Sequence, residues 1–173
     1  EVPLWISAMG PRAFELGGRI ADGVLLNWCT PERVAYARAA VVEGARSAGR
    51  DPDEVTVAVY VRSWVGEDRE AALTVTKAAA GEYARYPAYA RQFAQLGVGA
   101  EAKAAATAVA SGRPQDVPDD LVHRFTAFGE GAQARLAEYA AAGADLILAY
   151  PVAVGEPAPS ILGTIRSVAP ASG

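Results

Sequence analysis

The chain holds one cysteine, one histidine and one methionine, and each scarcity removes a class of chemistry. A lone thiol, Cys29, closes no internal disulfide, so a reducing, cytoplasmic setting is expected. With His123 unaccompanied by a second histidine or a cysteine pair, and with acidic residues scattered along helical patterns, no metal-ligand set is visible. His123 has Asp119 and Asp120 as neighbours one helical turn back, which reads as a solvated or capped side chain rather than a general base. The charge balance is also short of cations: 16 Lys and Arg against 20 Asp and Glu give a net charge of −4. No basic cluster appears, which argues against a nucleic-acid partner or an acidic membrane surface. Long hydrophobic runs are lacking as well. The stretch from Leu146 to Val154 falls far below the about 20 residues a bilayer span needs, and no signal-like segment is present, so no membrane association is expected.

What the chain does have is a repeating order of short apolar runs and helical patterns. Runs at Leu4–Ser7, Val24–Asn27, Thr56–Val61 and Leu146–Ala149 are of the kind that parallel sheets bury on both faces. Helices are expected over Pro11–Ala21, Pro31–Ala48, Glu67–Leu96, Ala100–Ala110, Asp119–Phe128, Ala132–Ala142 and Pro159–Val168. The long third helix should break near Tyr86-Pro87, because proline disfavours helix in the residue before it. Thr30 suits the N-cap of the second helix, with Pro31 and Glu32 favourable in its first turn. In the opening unit, Leu4-Trp5-Ile6 leads through Ser7-Ala8-Met9-Gly10-Pro11 into a helix to which Phe14, Leu16 and Ile20, with Ala13 and Ala21, give an apolar stripe. The pair Gly17-Gly18 permits close packing on a sheet. Asp22-Gly23 then turns the chain into Val24-Leu25-Leu26, completing a βαβ unit.

The turn Ser7-Ala8-Met9-Gly10-Pro11 opens a helix whose first N–H groups have no partner within the helix, so its dipole and backbone can receive a phosphate. Read alone, the turn is either such an anion site or an ordinary β-to-α connection.

The segments Pro3-Leu4-Trp5-Ile6-Ser7-Ala8-Met9-Gly10-Pro11, Ile20-Ala21-Asp22-Gly23-Val24-Leu25-Leu26-Asn27-Trp28 and Thr30-Pro31-Glu32 together resemble the luciferase-like monooxygenase superfamily. The likeness is to its deazaflavin branch, which is similar to methylenetetrahydromethanopterin reductases. Ala48-Gly49-Arg50-Asp51-Pro52 before the third run, Tyr86-Pro87-Ala88-Tyr89 in the middle region, and Ala142-Gly143-Ala144-Asp145-Leu146 before the last run agree with the resemblance. Gly129-Glu130-Gly131-Ala132 departs from it, since members often carry Gly-Thr-Pro there. The resemblance covers nearly the whole chain but only the C-terminal half of a family member. It implies an α/β fold, the C-terminal half of a (β/α)8 TIM barrel, with a helical insertion at about 67–131 before the last strand. A closed barrel takes about 250 residues, and the sole methionine, Met9, lies inside the first turn. The expectation is therefore a single domain over 1–173 that forms a fragment of a luciferase-like barrel of about 330 residues, a processed product, or one piece of a larger assembly.

In a parallel barrel the chemistry gathers where strands end. The resemblance implies coenzyme F420, with FMN as the alternative cofactor, and places the phosphate-linked tail at Ser7, Ala8, Met9, Gly10 and Pro11. Asn27 either bonds that tail or caps the next turn, and Trp28 either walls the pocket or packs in the core. Arg62 either clamps an anionic tail or substrate acid, or pairs with the acidic turn Glu67-Asp68. Tyr60, Ser63, Tyr150 and Pro151 also end strands, with core packing as the plainer role. Cys29 has no basic neighbour to activate it and reads as a packing residue. The expected activity is hydride transfer between a deazaflavin and a small organic substrate, with a flavin-dependent monooxygenase or a non-catalytic half-barrel as alternatives. The catalytic acid or base is expected in the absent N-terminal half. Strand edges at Leu4–Ser7 and Leu146–Ala149 need covering, which implies a homo-oligomer or association with that half.

Overall fold

The computed structural model describes residues 2–169, and its packing divides the chain into two compact units. One comprises Glu1–Val61 with Leu136–Leu148; the other comprises Arg62–Arg135 with Ala149–Gly173.

In the first unit, strand β1 (Trp5–Ser7) passes through helix α1 (Pro11–Ile20) to β2 (Gly23–Asn27). Helix α2 (Pro31–Ser47) then leads to β3 (Thr56–Trp64), whose first six residues belong here. The strands are parallel, with Trp5 opposite Gly23, Ser7 opposite Leu25, and Asn27 opposite Tyr60. Val24, Leu26, Val57 and Val59 are fully shielded, as are Phe14 of α1 and Val34 and Val41 of α2. That continuous burial is why the strands read as apolar runs rather than alternating ones. Helix α2 starts as expected: the Thr30 hydroxyl accepts the Arg33 N–H at 3.4 Å, and Pro31 stands in the first turn.

The glycine pair of α1 serves two partners rather than one. A Cβ on Gly17 would lie 2.4 Å from Val24 of β2, so this glycine meets the sheet, as the sequence suggests. Gly18 meets α2 instead: its Cβ would lie 2.0 Å from the Val41 carbonyl oxygen, and a Cβ on Gly44 would lie 2.1 Å from that of Glu15. The two helices therefore cross backbone against backbone. Arg50 closes the end of α1, donating from Nη1 to the carbonyls of Gly18 and Ala21 at 2.8 and 2.9 Å.

The second unit holds the end of β3, helices α3 (Arg69–Ala84), α4 (Pro87–Gln95), α5 (Gly99–Ala110) and α6 (Asp119–His123), and strand β4 (Thr126–Phe128). Helix α7 (Ala132–Ala141) runs to β5 (Leu146–Pro151), which pairs with β3, and α8 (Pro157–Val168) follows. The break at Tyr86-Pro87 is where the sequence requires it. The expected helix over Asp119–Phe128 is a correction: only its first five residues are helical, and Thr126–Phe128 forms a strand parallel to β3 with Arg62 opposite Thr126. Three residues are too few to show a period, and pairing with β3 overrides the local helical preference. Helix α3 packs closely on α5 through Gly81, whose Cβ would lie 2.2 Å from Val109. A ladder of rings, Tyr83, Tyr89, Phe93 and Phe125, runs through this helical layer, with centroids 4.7, 6.4 and 5.4 Å apart in turn.

Candidate functional site

The expected anion-binding turn lies in the first unit, just beyond the C-terminal end of β1. Ala8 is buried and its N–H donates to the Leu25 carbonyl at 3.1 Å, which carries the pairing of β1 and β2 one residue past the strand. Met9 and Gly10 are half-buried, while Ser7 and Pro11 are exposed. Gly10 occupies the N-cap position of α1 with extended backbone (φ −139°, ψ 165°), and no side chain caps the helix. Its carbonyl accepts the N–H groups of Ala13 and Phe14, both at 3.0 Å. Pro11 stands in the first turn, and that turn contains no acidic residue. A Cβ on Gly10 would meet no atom within 4 Å, so the space beside this helix start is open. An uncapped, carboxylate-free helix start with room in front of it suits a phosphate, through the dipole and the free N–H groups.

Arg33 of α2, which sequence reasoning did not single out, is tied to this turn. Its Nη2 donates to the Met9 carbonyl at 2.8 Å. The guanidinium lies over the rings of Phe14 and Tyr36, at 5.4 and 5.2 Å from their centroids. No periodicity marks such a residue; the register of α2 against the turn decides it.

At the end of β2, Asn27 stands opposite Tyr60 and both are half-buried. Trp28 has its backbone in the left-handed region, with φ +50°, and its side chain is 1% exposed. A bulky residue in that region costs of the order of 1–3 kcal/mol, and such strain clusters at functional sites. Cys29 is buried, and its carbonyl accepts the hydroxyl of the fully buried Tyr139 at 2.9 Å.

Arg62 belongs to the second unit. It is 8% exposed, with its guanidinium 5.3 Å from the ring centre of Tyr83 and 5.5 Å from that of Tyr150. Burial pulls its pKa below the ordinary arginine value, opposed by the charge and hydrogen bonding of Tyr83 and by the charges of Tyr89 and Tyr150. Of the acidic turn offered as its alternative partner, Asp68 caps α3 by accepting the Ala71 N–H at 3.0 Å. Ser63 is fully buried and its carbonyl accepts the Val152 N–H at 2.9 Å, whereas Tyr150 is 54% exposed.

Near His123, Asp119 pairs with Lys77 at 2.5 Å, and that hydrogen bond holds its carboxyl below the usual range. Among the described residues, no group of three or more His, Cys, Asp or Glu could hold a metal ion. No helix among them is long and apolar enough to cross a membrane.

Parallel strands joined by helices define an α/β protein. The family model described as luciferase-like monooxygenase matches residues 1–146, and the chain belongs to that family. Among its relatives, 5,10-methylenetetrahydromethanopterin reductase of Methanolobus tindarius is 41% identical over 68 residues, which is 39% of this chain and 21% of the relative. The enzyme of the same name from Methanopyrus kandleri is 38% identical over 77 residues, 44% of this chain and 22% of that one. In structure, the chain resembles the coenzyme F420 dependent tetrahydromethanopterin reductase from Methanopyrus kandleri, with a TM-score of 0.70 and 25% identity. The match covers 96% of this chain and 49% of that one. An F420-dependent secondary alcohol dehydrogenase in complex with an F420-acetone adduct shares the fold, with a TM-score of 0.69 and 20% identity over 98% of this chain and 50% of that one. The chain thus spans about half the length of these solved relatives. An α/β fold with parallel strands, equivalent to half of a reductase of this family, is what the sequence led one to expect.

Proposed function

We propose that the protein is part of an F420-dependent oxidoreductase that transfers hydride between the deazaflavin and a small organic substrate. The observation that carries this reading is the open start of α1 at Gly10, uncapped and free of acidic residues, in a chain similar to 5,10-methylenetetrahydromethanopterin reductases. When bound, the deazaflavin supplies the hydride-accepting carbon. The chain's own residues would hold and orient it. The N–H groups around Gly10 and Arg12 would hold the phosphate of the tail, with Ser7, Ala8, Met9 and Pro11 shaping the turn. Asn27 and Trp28, at the end of the next strand, would border the same pocket. In the second unit, Arg62, with its planar fork close to the rings of Tyr83 and Tyr150, would meet a carboxylate or phosphate.

Exposed apolar side chains support a partner for the first unit. Trp5 of β1 is 42% exposed and Leu146 of β5 is 43% exposed, at strands whose edges a closed barrel would cover. A complementary half-barrel or a second copy of the chain would shield them.

A fluorescence titration against F420 and FMN, with Gly10→Asp as control, tests the reading. Saturable F420 binding abolished by the carboxylate is the expected result. FMN binding alone would move the protein to the flavin branch, and binding of neither by the wild-type chain would overturn the cofactor assignment.

A further inference from the structure

We infer that Arg33 is a positioning residue for the anion-binding turn, aiming the Gly10 N–H at the cofactor phosphate. The inference rests on the reading of that turn given above. A trans peptide is planar, so the carbonyl of Met9 and the N–H of Gly10 point in opposite directions across their shared bond. Arg33 Nη2 holds the Met9 carbonyl at 2.8 Å. With the carbonyl drawn toward Arg33, the Gly10 N–H faces the other way.

Arg33 is itself fixed at both ends. Its backbone N–H donates to the Thr30 cap at 3.4 Å, and its guanidinium is stacked against Phe14 of α1 and Tyr36 of its own helix. Phe14 is fully buried and sits in the second turn of α1, so the same arginine links the turn, the helix it opens and the following helix. A planar, always-charged fork stacked on rings is a rigid donor, which lysine reproduces only in charge. Loss of the clamp frees the Met9–Gly10 peptide to rotate. The phosphate then loses an oriented charge-assisted hydrogen bond, worth about tenfold or more in affinity.

Two ligands separate this role from simple support of the fold: F420, and the deazaflavin nucleoside that lacks the phosphate-linked tail. Both are titrated by fluorescence against wild type, Arg33→Met and Arg33→Lys, with circular dichroism and thermal unfolding followed in parallel. The inference predicts that Arg33→Met weakens F420 binding by about tenfold or more while leaving the nucleoside nearly unchanged, and that Arg33→Lys recovers part of the loss. Arg33→Gln, which keeps a donor on a shorter arm, is a second variant judged by the same ratio should the methionine variant fail to fold. Equal weakening of both ligands, or no weakening of either, would overturn the inference while the turn remains the phosphate site. Wild type that binds neither ligand would overturn the cofactor reading and this inference with it.

Discussion

Arg38 and Asp145, more than a hundred residues apart in sequence, meet at 2.5 Å where β3 and β5 begin. The other carboxylate oxygen of Asp145 accepts the Val57 N–H at 2.8 Å, and its own N–H donates to the Val57 carbonyl at 2.9 Å. Arg38 also donates to the Val55 carbonyl at 3.0 Å. Asp22 repeats the device before β2: its carboxylate accepts the Leu4 N–H at 2.6 Å and its N–H donates to the Leu4 carbonyl at 2.8 Å. Both aspartates precede a strand at the N-terminal ends of the parallel strands, where structural rather than catalytic roles gather. Each fastens its strand to a neighbour.

Asp145→Ala should therefore lower stability by about 1–3 kcal/mol, mainly through the orphaned Val57 N–H and the lost charge-assisted bonds. The Arg38 partner is partly exposed, so a double-mutant cycle with Arg38→Ala should give a coupling of only about 1 kcal/mol or less. Urea unfolding of the four proteins measures both quantities. A single-variant loss indistinguishable from zero would show that the clamp does not hold the strand.

Gly18 and Gly44 should tolerate no side chain. At each, a Cβ would collide with backbone of the facing helix, which cannot swing aside as a flexible side-chain tip would. Gly18→Ala or Gly44→Ala should cost about 1–3 kcal/mol or more through forced separation of α1 and α2. Gly10→Ala, by contrast, should leave the unfolding midpoint nearly unchanged, since its Cβ enters open space and its backbone is already extended. A Gly10→Ala variant as unstable as Gly18→Ala would contradict the packing described.

The pH dependence of Asp119 has a definite sign. Its folded-state pKa is depressed, first by the hydrogen bond from Lys77, so the stabilisation it gives is present above the unfolded aspartate pKa and fades as pH falls through the lower folded value. The carboxylate is largely exposed, so screening keeps the effect small. Asp119→Asn should flatten the acid side of the stability profile slightly at low salt, and the difference should vanish in molar salt. A larger difference at high salt than at low would contradict this origin.

Arg62 should depend on shape as much as on charge. With its guanidinium 5.3 and 5.5 Å from the ring centres of Tyr83 and Tyr150, it gains about 0.5–2 kcal/mol from the two rings. Arg62→Lys should forfeit most of that in thermal unfolding, and a fully stable lysine variant would show that the rings contribute nothing.

Much of the fold was legible because buried parallel strands leave continuous apolar runs, and because proline, glycine and the Thr30 cap mark helix limits. Strand β4 was not, because three residues carry no period and only its pairing with β3 makes it a strand. The turn after β1 and the residues after β2 could be named from position at strand ends. The grip of Arg33 on Met9, the fastening by Asp22 and Asp145, and the left-handed backbone of Trp28 depend on how separate elements meet, which no local pattern encodes. Likewise the sequence offered Arg62 a clamp or a salt bridge, and its approach to the rings of Tyr83 and Tyr150 required the folded chain.

The central claim is that the start of α1 holds the phosphate of a deazaflavin cofactor. The most direct measurement follows backbone amide resonances of the 15N-labelled protein as F420 is added. The account predicts the largest shifts at Gly10, Arg12 and Ala13, with saturation at a single affinity. Shifts concentrated at another helix start, with those three amides unmoved, would contradict it.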